Sequence, residues 1–535
     1  TANLYRPDKP GKFPGILLPL GHWEYGKPAV QTIAANFALK GFVVLTYDPW
    51  GQGERKQIYD ARYGNSLANQ GTEQHLLAGG LSALLGQSFA RYRIWDAKRA
   101  LDYLVSRPEV ITDRIGCTGC SGGGTITTYI SALDSRIKVA APACYINTFR
   151  LLFSGPLGDS EQSIPNFLAS GLDIADYIEL FAPKPWLISS TREDFFPLAG
   201  ARMAFEEAQR WYGLLGADDK IKWAVGPGGH GTPLEIREAI YEWMIRWLKD
   251  GNGSAREEPF ALLPEHALWA APKGQVANIA GSREVFDIIR DEYRSSFRHG
   301  SRAELTALLN KLIDPPRQAP PIRMEGDRVA FETEPGLELT ARLLEPARSD
   351  ASEGVLLVDT KAEVPQHARD LVNAGNTVLV VTPRGCTSNG SNSGRTYSGD
   401  WHPNVQAWLV GRNLPAMRAH DILNAYQILK SRPHVDPAKI RVEASAIAGT
   451  WALLAAAVEP GIASVRLQQT PYSFAQAFEN PLTRDLHSAI IPGFASHWDL
   501  ADLVDADRLL WTDPVDWLGH VVPLKGRYAY TPAVQ

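Results

Sequence analysis

The sequence repeats itself at a distance of 325 residues. Residues 93–125 align without a gap on residues 418–450, and about a third of these 33 positions are identical. A repeat that covers a helix-like and a strand-like pattern together indicates two copies of one fold in tandem. With 535 residues, the chain has room for two domains of ordinary size and a connector.

Short apolar runs alternate with amphipathic stretches along the first copy. This alternation is typical of a parallel sheet that is covered by helices on both faces. We therefore predict an α/β fold class with two doubly wound, mostly parallel sheets, one in each copy. The candidate strands of the first copy are residues 15–20, 42–47, 114–119, 137–143, 186–191 and 221–225.

A turn-forming run and a proline-rich run divide the sequence into three segments. The run Asp-Gly-Asn-Gly-Ser at 250–254 ends a helix-like stretch, and a helix-like pattern then continues to a proline-rich run before residue 322. We predict a first domain at 1–250, a helical connector at 251–321 and a second domain at 322–535. A strand-like run at 328–333 precedes the second-copy residues that align with Thr1. We therefore expect the given sequence to start inside its first domain, with one strand missing.

Composition narrows the classes of partner. Lys and Arg number 54 and Asp and Glu 59, which gives a net charge of 54 − 59 = −5, and no long basic or apolar run occurs. We therefore expect neither a nucleic-acid-binding face nor a membrane span. We expect a small or neutral substrate instead. Four cysteines are too few for a disulfide framework, and the C-x-x-C pair Cys117 and Cys120 is predicted to be buried thiols rather than a metal site.

One G-x-S-x-G motif occurs, at Gly119-Cys120-Ser121-Gly122-Gly123. It lies between a predicted strand and a helix-like run, where a sharp turn exposes the serine at the helix amino terminus. We predict that Ser121 is a nucleophile and that the N–H of Gly122 binds an oxyanion.

An acid and a histidine follow later strands in the order that such a nucleophile needs. Asp194 comes just after the predicted strand at 186–191, and His230 lies in the glycine-rich loop after the strand at 221–225. We predict Asp194 as the acid that orients the imidazole and His230 as the general base. Glu193 is the alternative acid, because the sequence does not fix which neighbour faces the histidine.

The second oxyanion donor is expected in the loop that follows the first long strand. The backbone N–H of His22 is the first choice, and that of Trp23 is the second. His22 could also serve as a metal ligand, but no partner cluster in the sequence supports this reading. We expect neither a metal nor a cofactor.

These motifs together resemble a known family. Gly21-His22-Trp23, Asp48-Pro49-Trp50-Gly51-Gln52-Gly53-Glu54-Arg55, the serine motif, Asp194-Phe195-Phe196-Pro197 and Gly229-His230-Gly231 are similar to those of α/β-hydrolases of the acetyl xylan esterase and dienelactone hydrolase-like group. The resemblance implies a serine hydrolase that cleaves carboxylic esters, often acetyl groups on plant polysaccharides. It also implies a protein that bacteria secrete or export to the periplasm.

The second copy lacks the chemistry of the first. The shift of 325 places Ser121 on Ala446, and both turn glycines fall on alanines. Ser445 is one position away from the turn, and Asp516 matches Asp194 but is not followed by a Gly-His-Gly loop. We predict a degenerate, non-catalytic second domain.

Substrate contacts are expected beside the catalytic motifs, from Trp23, Trp50 and Phe195. Two inserts at 55–91 and 147–184 follow strand ends and are expected to control access. Two other functions use the same residues: a serine peptidase, and a glycan-binding protein with a vestigial triad. The sequence does not fix the oligomeric state.

Overall fold

The computed structural model describes the chain except residues 70, 156–159, 348–351, 362, 387–399, 524–529 and 532–535. The chain forms two compact units. The first contains residues 1–76 and 88–287, and the second contains residues 77–87 and 288–535.

A seven-stranded sheet forms the centre of the first unit. Its order is β1-β3-β2-β6-β7-β8-β9, in which only the edge strand β1 is antiparallel to its neighbour. A separate two-stranded hairpin is made of β4 and β5. The strands are β1 Ala2–Tyr5, β2 Phe13–Leu18, β3 Val43–Tyr47, β4 Tyr59–Asp60, β5 Asn65–Ser66, β6 Val110–Cys120, β7 Ile137–Ala143, β8 Trp186–Thr191 and β9 Ile221–Gly226.

Helices connect these strands, as parallel neighbours require. The helix at residues 71–84 has residues 71–76 in the first unit and residues 77–84 in the second. The helices are α1 Gln31–Leu39, α2 Gly71–Leu84, α3 Ala90–Ser106, α4 Gly122–Leu133, α5 Phe149–Leu152, α6 Ala175–Phe181, α7 Leu198–Leu214 and α8 Leu234–Leu248.

The second unit contains a nine-stranded sheet in the order β10-β11-β12-β14-β13-β15-β16-β17-β18. Its last seven strands repeat the strand order of the first sheet, with β12 in the place of β1. The strands are β10 Ile322–Glu325, β11 Arg328–Glu334, β12 Leu337–Leu344, β13 Ser352–Val358, β14 Thr377–Val381, β15 Val435–Ser445, β16 Ser464–Gln468, β17 Leu509–Thr512 and β18 Tyr530–Thr531.

In the described part of the chain, two α-helices follow α8 and precede the first strand of the second sheet, and five more lie in sequence between strands of the second sheet. They are α9 Val285–Ser296, α10 Arg302–Ile313, α11 Gln366–Asn373, α12 Trp401–Leu409, α13 Leu414–Lys430, α14 Ala448–Val458 and α15 Ala475–Glu479. None of the helices in the described ranges combines the length and the apolar character needed to span a membrane.

The predicted fold class is confirmed, because both sheets are mostly parallel and alternate with helices. All six predicted strands of the first copy are present. The helix-like pattern that we expected from residue 255 holds only from Val285 onward, and residues 255–284 contain only short 3-10 turns. Prolines at 259, 264 and 272 explain the difference, since each removes a helix hydrogen-bond donor.

One face of the first sheet packs against α1 and α8. Alternate residues of the strands, such as Ile16 and Leu18, join Phe37 of α1 and Met244 of α8 in one buried cluster. Burial of each such side chain contributes about 1.5–3 kcal/mol relative to leaving it in water. This packing fixes the strand ends from which the candidate site is built.

Candidate active site

Ser121 lies on a sharp turn between β6 and α4. Its backbone has φ 59° and ψ −125°, a strained conformation for a residue other than glycine. A methyl group at Gly119 or at Gly123 would lie 2.4 Å from the carbonyl oxygen of Pro19, so both glycines are required by close backbone approach. The structure therefore has the strand, turn and helix that a nucleophile elbow needs.

Asp194 and His230 come from the ends of β8 and β9 and are hydrogen-bonded to each other. His230 Nδ1 is 2.8 Å from Asp194 Oδ1, and the N–H of Phe196 donates to the same oxygen at 3.0 Å. Burial acts to raise the pKa of Asp194, but the hydrogen bonds from His230 and Phe196 outweigh it and hold the pKa below its usual value. The side chain of Glu193 is exposed, and Asp194 makes the contact with the imidazole.

Backbone hydrogen bonds hold the strand ends of this site side by side. The N–H of Ser121 donates to Ala143 at 2.9 Å, that of Cys144 to Ser189 at 2.8 Å, and that of Glu193 to Gly228 at 3.0 Å. These ladders place the elbow and the His230 loop at the same edge of the sheet. The hydrogen bonds within the described ranges do not include one between the Ser121 hydroxyl and His230, so the triad stays a prediction. Catalytic hydrogen bonds are often long before substrate binds.

The loop after β2 passes directly over the elbow. A methyl group at Gly21 would lie 2.6 Å from the carbonyl oxygen of Cys120 and 3.1 Å from Ser121 Cβ. The N–H of Trp23 donates to the carbonyl of Gly21 at 2.9 Å, which favours the N–H of His22 as the oxyanion donor. The side chain of Gln52 fixes the loop, because its amide donates to Gly21 at 2.6 Å and to Trp23 at 2.9 Å.

His22 lies in a cluster that the sequence did not reveal. Its Nε2 is 3.5 Å from Glu161 Oε1, and its ring centroid is 5.2 Å from that of His75. Glu161 is in turn 3.0 Å from Arg93. His75 and Glu161 belong to the two predicted inserts, where no motif or periodicity marks them.

The three predicted substrate contacts differ in exposure. Phe195 is 52% exposed, and its ring centroid is 4.2 Å from that of His230. Trp50 is half-buried, with the guanidinium of Arg55 4.1 Å from its ring centroid. Trp23 is half-buried and packs against the core of the unit. Phe195 is thus the one of these three that is more than half exposed.

The cysteines near the site are buried thiols. Cys117 and Cys120 are free, as predicted. Burial raises the pKa of Cys117 to about 12, and a hydrogen bond with Cys144 together with burial raises the pKa of Cys120. The raised pKa values disfavour the thiolate, which is the nucleophilic form of cysteine.

The second unit has the same turn without the nucleophile. Ala446 follows β15 and has φ 48°. Asp516, the predicted match of Asp194, is 3.1 Å from the imidazole of His520, which is four residues away along the chain. The sequence patterns predict no role for His520.

Part of the chain is similar to one known family and to one curated hydrolase. Residues 1–167 match the family model of acetyl xylan esterase. The hydrolase YtaP of Bacillus subtilis (strain 168) is 27% identical over 264 residues, which cover 46% of this chain and 83% of YtaP.

Two solved esterases are also similar. The methylesterase BT1017 is 25% identical with a TM-score of 0.44, and the match covers 57% of this chain and 63% of that chain. A carbohydrate esterase family 15 glucuronoyl esterase from Caldicellulosiruptor kristjansonii is 18% identical with a TM-score of 0.33, covering 51% of this chain and 79% of that one. The family match, which covers residues 1–167, confirms the expected resemblance to the acetyl xylan esterases.

Proposed function

We propose, because residues 1–167 match the acetyl xylan esterases, that the first domain hydrolyses carboxylic esters on a carbohydrate through an acyl-enzyme at Ser121. The observation that carries the proposal is the 2.8 Å contact between Asp194 and His230 at the sheet edge that also holds the Ser121 elbow.

In the proposed mechanism, the Ser121 oxygen attacks the ester carbonyl while His230 takes the hydroxyl proton. Asp194 holds the imidazole by its Nδ1 and stabilises the imidazolium that forms. The N–H groups of Gly122 and His22 bind the oxyanion, and the helix dipole of α4 favours the developing charge. The ester C–O bond then breaks, and His230 returns the proton to the leaving alcohol. Water attacks the acyl-enzyme by the same proton path and releases the acid.

A carbohydrate as the alcohol part of the ester is supported by the family match and by Phe195. This exposed ring beside His230 offers an apolar face on which a sugar ring can pack. Trp50 and Trp23 are the further proposed contacts. Export from the cell is also proposed, on the family match alone, and fractionation of a bacterial host that expresses the full-length gene tests it.

The second domain is proposed to be non-catalytic, because Ala446 stands where the first elbow has its serine. The predicted division into a first domain at 1–250, a connector at 251–321 and a second domain at 322–535 is part of this proposal. The order of seven strands that both sheets share supports it.

The test of the nucleophile is Ser121→Ala, assayed on p-nitrophenyl acetate. We expect turnover to fall by at least about 10³-fold with an unchanged melting temperature, since a triad acts as a unit. Ser445→Ala is the matched control and should keep full activity. A fluorophosphonate probe should label the wild type and not Ser121→Ala. Unchanged turnover in Ser121→Ala would refute the assignment, and failure to label the wild type would favour a vestigial triad.

The substrate class is tested with a panel of acetylated, methyl-esterified and feruloylated polysaccharides, assayed for released acid or alcohol. Aminoacyl amides belong in the same panel. We expect release from an esterified polysaccharide and none from the amides. Cleavage of the amides alone would establish a peptidase instead.

A further inference from the structure

A row of three ionisable side chains leads from the protein interior to the proposed oxyanion hole. Arg93 of α3 has its Nε 3.0 Å from Glu161 Oε2, and the other carboxylate oxygen of Glu161 is 3.5 Å from His22 Nε2. The Glu161 side chain is 0% exposed, that of Arg93 2% and that of His22 15%. A buried carboxylate or guanidinium persists only when it is paired, and Glu161 and Arg93 are paired with each other.

Glu161 and His22 lie against Gly122, the residue that supplies the first proposed oxyanion donor. A methyl group at Gly122 would be 2.8 Å from Glu161 Oε1 and 2.7 Å from His22 Cε1. Because Gly122 has no side chain, the Glu161 carboxylate and the His22 imidazole can occupy these positions. His22 in turn carries the second proposed donor on its own backbone.

Arg93 also contacts the loop that carries His22. Its guanidinium NH2 group is 3.4 Å from the carbonyl oxygen of Leu20, two residues before His22. One buried cation thus supports the start of the loop directly and supports His22 through Glu161.

The charge of Glu161 would oppose catalysis if it stood alone. A carboxylate beside an oxyanion hole repels the negative charge that develops in the transition state, and the low dielectric of the interior strengthens the repulsion. The guanidinium of Arg93 offsets this charge at 3.0 Å. The pair can then hold an imidazole in place without a large electrostatic penalty at the reacting atoms.

A divalent metal is the competing reading of the same cluster. One ligand atom each from His22, His75 and Glu161 lie within 4.8 Å of one another, and two imidazoles with a carboxylate suit zinc. The charges of the cluster argue against a metal, because a dication and the Arg93 guanidinium would then share a single buried carboxylate. His75 Nε2 is 2.5 Å from the carbonyl oxygen of Trp50, which leaves Nδ1 as the ring nitrogen that could bind a metal.

We propose that Glu161, backed by Arg93, is a positioning residue that holds the His22 imidazole over Gly122 and so sets the direction of the His22 N–H toward the oxyanion. This inference rests on the proposed function. It assigns the insert at 147–184 a part in catalysis through the loop at His22, in addition to its expected part in access.

The experiment is a double-mutant cycle of Glu161→Gln and His22→Ala on the full chain, with p-nitrophenyl acetate as substrate. His22→Ala keeps the backbone N–H and removes the imidazole. Each single variant should lower kcat by about 10- to 100-fold with KM changed less than about 3-fold, because a small misplacement of a donor weakens transition-state binding. The double variant should be no slower than His22→Ala alone, since Glu161 acts through that imidazole.

Arg93→Met provides a second readout, in which adding Glu161→Gln should raise kcat rather than lower it. It leaves the charge of Glu161 without compensation, so kcat should fall more than in Glu161→Gln, and adding Glu161→Gln to Arg93→Met should recover part of the loss. Tyr129→Phe is the matched control, because it removes a hydroxyl that donates to the backbone carbonyl of Glu161 at 3.1 Å and leaves the carboxylate in place. It should keep kcat near the wild-type value.

Each contrary outcome has a separate meaning. Wild-type kcat in Glu161→Gln or His22→Ala, or multiplied losses in the double variant, would overturn the positioning role. Stoichiometric zinc in the purified wild type, with activity lost to a chelator and restored by zinc, would overturn it in favour of the metal. Should Glu161→Gln fail to fold, His22→Ala and Arg93→Met decide together, and wild-type kcat in either variant would overturn the positioning role. Ser121→Ala is assayed alongside: if it is active, the proposed function fails, whatever the cycle shows.

Discussion

Ser121 and Ala446 occupy the same backbone turn in the two units. Their φ angles are 59° and 48°, and the N–H of each donates to the adjacent parallel strand at 2.9 Å, to Ala143 and to Gln468. Such conformations cost about 1–3 kcal/mol and persist only where the surrounding structure enforces them. The second unit thus has a positive-φ turn at this position without a serine, so the strained backbone alone does not identify a nucleophile.

We therefore predict that restoring the serine alone does not restore activity. Ala446→Ser in the Ser121→Ala background should give no hydrolysis of p-nitrophenyl acetate above that of Ser121→Ala. The physical reason is that Asp516 already engages His520, only four residues away, and that no Gly-His-Gly loop follows it. Measurable turnover that fluorophosphonate labelling maps to residue 446 would contradict the prediction.

The two acidic neighbours after β8 should differ sharply in their effect. Asp194→Asn should lower kcat by about 10³- to 10⁴-fold, because the amide cannot hold the imidazole in the required tautomer. Glu193→Gln should keep kcat within about twofold, since its side chain is exposed while Asp194 contacts His230 at 2.8 Å. Steady-state kinetics of the two variants at pH 8 provide the measurement. A larger loss in Glu193→Gln would reverse the assignment.

Local patterns predicted much of the fold and the Asp194–His230 contact. Strand periodicity predicted six of the seven strands of the first sheet, all except the edge strand β1, and the order of Ser121, Asp194 and His230 after strands placed them at one sheet edge. The cluster around His22 could not be predicted. Glu161 and His75 reach it through tertiary packing of the inserts, where neither spacing nor periodicity carries a signal.

The Gly21 position should be intolerant of any side chain. Gly21→Ala places a methyl group 2.6 Å from the carbonyl of Cys120 and 3.1 Å from Ser121 Cβ, so the loop that carries the His22 N–H must shift. We expect kcat on p-nitrophenyl acetate to fall by about 100-fold. Gly213→Ala on α7 is the control, because only the flexible side chain of Asp218 lies near its added methyl group. Equal kcat in both variants would show that the loop does not set the oxyanion donors.

The second unit should lose stability in acid through Glu334. Its carboxylate accepts hydrogen bonds from Arg412 at 2.7 Å and Arg384 at 2.5 Å, and these partners, Arg412 first, lower its pKa from 4.5 to about 2. A lowered pKa stabilises the fold fully above the unfolded value of 4.5, and this stability is lost as the pH falls toward 2. Glu334→Gln should therefore reduce the free energy of unfolding by about 2 kcal/mol at pH 7 and by less than half of that at pH 3. Calorimetry at the two pH values measures the difference in free energy of unfolding between the wild type and Glu334→Gln. Glu325→Gln, which changes an exposed carboxylate on β10, is the control and should change the free energy of unfolding by only a few tenths of a kcal/mol. An equal difference for Glu334→Gln at pH 7 and pH 3 would show that the charge of Glu334 does not contribute to stability.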